Sequence, residues 1–144
     1  AIESFEEARG LYRKHKEIIH VARCDQKIAS CYNKLGEGEK ALDKSRIALD
    51  VFETAHDHRR QIITLFEYAK ALDLLGEFEE ALSTLDQVLT TASDDEPKDF
   101  EFIVDIEMQI GEILRKTGRD EEALEIERRL NSVRSILTDE ECSN

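Results

Sequence analysis

Three glycines constrain this chain more than any other feature. Gly36, Gly76 and Gly118 each follow a large apolar residue by four positions (Tyr32, Leu72 and Leu114) and precede an Ala-Leu pair by five (Ala41-Leu42, Ala81-Leu82 and Ala123-Leu124). The glycines lie 40 and 42 residues apart. A period of that size marks repeated supersecondary units. Glycine at the end of an apolar-periodic run suits the left-handed position that closes a helix, where a Cβ would be strained. The acidic residues that follow, such as Glu37, Glu77 and Asp120, favour the positive end of a next helix. The small Ala41, Ala81 and Ala123 let neighbouring helices approach. Each unit therefore reads as two antiparallel helices joined by a tight turn. One such pair cannot bury its own apolar face, so the pairs must stack.

Composition agrees with that reading. The 144 residues include one Pro, six Gly and no Trp, with 40% hydrophobic residues. Few breakers and many helix formers point to an all-α fold, and the apolar fraction is enough for a core. Seven helices are expected, at about 1–16, 18–35, 38–56, 58–75, 78–93, 97–117 and 120–137. Asp94, Asp95 and Glu96 ahead of Pro97 form the best start signal, with Pro in the first turn. One repeat domain over 1–137 is expected, made of a partial repeat at 1–16 and repeats at 18–56, 58–93 and 97–137. Residues 138–144 read as a loose polar tail that holds Cys142.

The layout resembles the tetratricopeptide repeat. In that family's pattern the first helices carry a small residue, here Ala29, Ala69 and Gly111, and then the large residue before the turn. The second helices match at Ala41, Ala81 and Ala123, and the later small position is Ala48, then Val88, then Leu130. Those last two depart from the family's small residue, which implies looser or rotated packing there. Ala1, Phe5 and Ala8 have the spacing of a second helix, so the chain is expected to open halfway through a repeat, as a piece of a longer protein. The resemblance implies a right-handed solenoid of antiparallel helix pairs. Its long period is similar to the long-helix repeats of kinesin light chains and of some bacterial signal-sensing transcriptional regulators.

Charge and motifs narrow the function. The formal net charge of −13 argues against nucleic acid and anionic membrane as partners, since both attract basic surfaces. No apolar run is long enough to span a bilayer. Residues 1–7 have neither a basic start nor an apolar core, so no signal peptide is read there. Cys24 and Cys31, seven residues apart on one helix, are too far apart for a disulfide and read as thiols in a reducing cytoplasm. His56 and His58 flank Asp57 at a helix junction and read as a solvated turn rather than a metal site. His15 and His20 read as surface residues. The acidic run before Pro97 lacks the glycine and distal Glu of a calcium loop. Phosphate loops, nucleophile elbows and zinc-protease motifs are absent, so the expectation is no enzyme, no cofactor and no metal.

The resemblance also implies a concave groove lined by first helices. The corresponding positions are Arg23, Gln26, Lys27, Ser30, Asn33 and Lys34, then Ile63, Phe66, Glu67, Lys70 and Asp73, then Asp105, Met108, Gln109, Glu112, Arg115 and Lys116. Helix 58–75 is apolar nearly all round and is expected to be mostly buried, with Ile63 and Phe66 as the exposed exceptions. Some family members grip a peptide carboxylate at positions that here hold Gln26, Ser30, Glu67, Asp105 and Gln109; none of the five matches. The leading expectation is a non-catalytic interaction module whose groove takes a peptide or helix. Phe66, Ile63 and Met108 would serve as apolar anchors, and Arg23, Lys27 and Lys34 would steer an acidic segment. The alternative is a structural role, as a spacer, a sensor segment or a self-associating part of a regulator. In that case a second copy would cover the apolar side of the first helix at Ile2, Phe5 and Tyr12 to form a homodimer. The acidity is uneven: residues 1–60 hold 12 basic and 11 acidic side chains, and 61–144 hold 8 and 22.

Overall fold

Seven helices follow one another among the described residues: α1 (Ile2–Lys14), α2 (Ile18–Lys34), α3 (Gly38–Thr54), α4 (His58–Leu74), α5 (Phe78–Asp94), α6 (Phe100–Lys116) and α7 (Asp120–Ser143). The computed structural model describes residues 1–14 and 17–143, with side chains described for 1–10 and 17–136. No strand occurs among them. The fold is all-α and built of antiparallel helix pairs.

The turns explain the glycines. Gly36, Gly76 and Gly118 have φ of 77°, 79° and 78°. In the first turn the Gly36 N–H donates to the Asn33 carbonyl at 3.1 Å and the Glu37 N–H to the Tyr32 carbonyl at 2.9 Å. Gly76 and Glu77 repeat this pair on Asp73 and Leu72, and Gly118 and Arg119 repeat it on Arg115 and Leu114. These paired bonds satisfy carbonyls that the helix end would otherwise leave open. The α3–α4 turn makes the same bonds from His56 and Asp57, and His56 takes the left-handed position with φ of 56°.

The helices α2, α4 and α6 are each 17 residues long, as are α3 and α5. Three residues separate α3 from α4, and five separate α5 from α6. The two extra residues account for the step from a 40- to a 42-residue period. Pro97 lies in that longer loop and not in the first turn of α6. The cap is Asp99, whose carboxylate accepts the Phe102 N–H at 3.1 Å. A side-chain acceptor at the cap position outweighs a proline signal two residues upstream. The C-terminal stretch expected to be loose continues the backbone of α7 to Ser143, Cys142 included.

The chain divides into two compact units, Ala1–Thr91 and Ala92–Asn144. In the first, Ala22, Ala48 and Phe52 form a fully buried cluster with Ile19 and Val51 packed against it. Ile28, Ala29, Ala41, Ala69, Ala71 and Leu85 are also buried without exposure. In the second, Ile106, Ile113 and Ala123 are fully buried, with Leu114 and Leu130 nearly so. The apolar stripe of each helix thus faces its partner, as stacking of pairs requires.

Candidate partner-binding faces

Helical register puts Arg23, Lys27, Ser30 and Lys34 on one side of α2, at spacings of four, three and four residues. Arg23, Lys27 and Lys34 are exposed, while Gln26, Ser30 and Asn33 are half-buried. The corresponding side of α4, 40 residues on, carries Ile63, Phe66, Glu67, Lys70 and Asp73. Asn33 joins the two helices: its amide nitrogen donates to the Glu67 carbonyl at 2.9 Å and to the Glu67 carboxylate at 2.8 Å. The Lys70 ammonium lies 3.7 Å from the same carboxylate and 4.3 Å from the centre of the Phe66 ring.

This network corrects the expected apolar middle. Phe66 is only 7% exposed and is capped by Lys70, so it is a core residue with a cation over its face rather than an open anchor. Ile63 is half-buried, and Glu67 and Asp73 are buried. What the α2–α4 face presents to solvent is basic. Among the described residues, Arg23, Lys27 and Lys34 make no ion pair.

The α6 residues belong to the second unit. Asp105, Met108, Glu112, Arg115 and Lys116 are exposed and Gln109 is half-buried. Arg115 donates to both carboxylate oxygens of Glu127 on α7, at 2.8 and 2.6 Å. That hydrogen bonding, and the Glu127 charge with it, raise the Arg115 pKa. Met108 accepts from Arg134 at 3.7 Å. These side chains edge an open cleft of about 340 Å³ between α6 and α7, floored by Gly111, Ile126 and Leu130. The α7 side of it was missed in the sequence. Its signal was there: Glu127 and Arg134 stand where the same register in α3 holds Ser45 and Phe52.

Elsewhere the structure sharpens other expectations. Ile2 and Phe5 are half-buried rather than open, and the Tyr12 side chain and His15 lie outside the described residues. His20 lies 3.2 Å from the Glu17 carboxylate. Cys24 is buried and Cys31 half-buried, both as free thiols, and burial pushes the Cys24 thiol up. His56 and His58 have ring centres 6.5 Å apart, and among the described residues no group of three His, Cys, Asp or Glu side chains could hold a metal. No described helix is long and apolar enough to cross a membrane.

Comparison with known proteins places the arrangement. The family model described as Tetratricopeptide repeat matches residues 17–94, more than half of the chain. Two crystal structures from Podosopora anserina, described as a kinesin light chain with nearly identical TPR-like repeats, share its fold. One, of a point variant, superimposes with a TM-score of 0.74 at 15% identity, covering 96% of this chain and 67% of that one. The other gives 0.70 at 16% identity, covering 94% and 66%. No curated protein matches.

Proposed function

Because the chain belongs to the tetratricopeptide repeat family, whose repeats generally mediate protein–protein interaction, we propose that the α2–α4 face of the first unit binds an acidic, extended segment of a partner protein. The chain performs no catalysis in this reading and needs no cofactor. The observation that carries it is the row of exposed cations Arg23, Lys27 and Lys34 on α2, free of ion pairs among the described residues and extended by Lys70 on α4. Charges of one sign along a face steer a partner of the other sign and make its capture sensitive to salt. Asn33 and Glu67, locked to each other, hold the two helices beneath that row at a fixed spacing. The free thiols suit a cytoplasmic setting.

The test is fluorescence polarisation of this chain with an array of acidic peptides, against the same peptides carrying lysine in place of glutamate. Binding should weaken with added salt, and Lys27→Glu together with Arg23→Glu should weaken it about tenfold or more, the size expected when steering charges are reversed. Equal binding of the lysine peptides, or no loss in the double variant, would overturn the reading.

A further inference from the structure

The acidic run before Pro97 is surplus to the fold. Asp99 caps α6, as Asp57 caps α4 at the joint one repeat earlier, so the joint needs no further carboxylate. Asp94, Asp95 and Glu96 are nevertheless there. All three are exposed, and their side chains make no hydrogen bond or ion pair among the described residues. They crowd the end of α5, whose last turn carries no basic residue, whereas α2 ends on Lys34 and α6 on Arg115 and Lys116. Negative charge at a helix C-terminus opposes the helix dipole. These carboxylates are thus held where they cost local stability, and a breach of local rules of this kind marks a functional segment.

The same chain carries the surface that fits them. Arg23 and Lys27, exposed on α2 and free of ion pairs among the described residues, stand one turn apart. One turn separates them by about 6 Å along the helix. Alternate residues of an extended chain lie about 6–7 Å apart on one side, so Asp94 and Glu96 match that pair in spacing as well as in charge. Residues 95–99 form neither helix nor strand, so only Asp94, the last residue of α5, has to leave its helix. Resting on the reading that the α2–α4 face binds an acidic segment, we propose that its occupant is the 94–96 segment of a second copy of this chain. The contact is heterologous: the segment of one copy meets the face of the next, and copies add head to tail. The net charge of −13 makes copies repel at long range, which keeps the contact weak. Added salt screens that repulsion together with the attraction, so exchange of charges at constant ionic strength is the cleaner measure.

The experiment is sedimentation velocity of the intact chain over a rising concentration series at one low ionic strength. The parent should associate as concentration rises. A face variant (Arg23→Glu with Lys27→Glu) and a segment variant (Asp94→Lys, Asp95→Lys and Glu96→Lys) should each associate about tenfold more weakly or worse. The segment variant is less negative than the parent, so its loss does not come from added repulsion. An equimolar mixture of the two variants should associate again, because the basic segment of one then meets the acidic face of the other. All the substituted positions are exposed, and circular dichroism checks that both variants fold. The proposal is overturned if the parent stays monomeric, if the segment variant associates as the parent does, or if the mixture does no better than its components. A peptide spanning 92–100, added to the polarisation assay, separates the two readings. Binding of other acidic peptides by a chain that neither takes this one nor associates would overturn the proposal and leave the face reading standing. Failure of every acidic peptide would remove both.

Discussion

Arg9 on α1 reaches across to α2 and donates its Nε to the carboxylate of Asp25 at 2.7 Å. Asp25 has no exposed surface, and Lys44 of α3 lies 3.8 Å away on the same oxygen. One buried anion is thus shared by cations from the helices on both sides. Removing one partner of a buried pair is costly, since the charge left behind has been taken from water. Arg9→Met should therefore destabilise the chain by about 2–3 kcal/mol in urea unfolding, below the usual range for a broken buried pair because Lys44 remains. Adding Asp25→Leu should recover much of that loss. A double variant no more stable than Arg9→Met alone would contradict the assignment.

Two buried glycines should answer a methyl group in opposite ways. A Cβ on Gly38 would lie 3.0 Å from the Leu74 Cβ, 3.1 Å from the Leu75 Cγ and 3.2 Å from the Ala71 carbonyl. The start of α3 thus touches the end of α4 through backbone, and Gly38→Ala should cost about 1–2 kcal/mol by overpacking. Gly111→Ala meets no such wall and should stabilise the chain by about 0.5–1 kcal/mol through helix propensity. Thermal melts of the two single variants should move apart.

His56 occupies a backbone region that three of the four helix-closing turns give to glycine. A left-handed non-glycine residue carries strain, although glycine adds entropy to the unfolded chain. The net for His56→Gly should be a gain of about 0.5–1 kcal/mol, and His56→Val should lose stability because a branched Cβ fits that region poorly. A lower melting temperature for His56→Gly would refute this.

Asp57 gives the α4 start a dependence on pH. Burial pushes its carboxyl up, but the Arg60 side-chain and backbone hydrogen bonds and the Arg60 charge outweigh it, so the folded pKa falls below the usual carboxylate value. A folded pKa below the unfolded one contributes stability at neutral pH that is lost as pH falls through the folded value. Asp57→Ala should cost about 1 kcal/mol at pH 7 as a lost cap, and the gap to the parent should narrow in melts taken below about pH 4.

Much of the fold was legible because it repeats. The glycine spacing located three of the four left-handed turns, all but the one at His56, and the bounds of α2 to α5 were placed to within two residues. Pro97 misled because proline favours a first turn only where no better cap follows, and Asp99 follows. The candidate faces were less legible. The resemblance put Phe66 on the groove side of α4 as an exposed anchor, yet the ring is nearly buried with a long Lys70 side chain over it, and helical spacing carries no information about such a fold-back. Arg9 with Asp25 and Asn33 with Glu67 were hidden for a different reason. They join residues 16 and 34 positions apart on different helices, and only their stacking brings them together.

The two extra residues between α5 and α6 show where this architecture tolerates change in length. Inserted within a helix, one residue would turn everything beyond it by about 100°, moving buried side chains into solvent. Placed between pairs, two residues leave α6 with the same 17-residue span as α2 and α4 and its turn glycine two residues beyond the helix. Lineages of such chains should therefore drift in length at the joints between hairpins, while each hairpin is inherited whole.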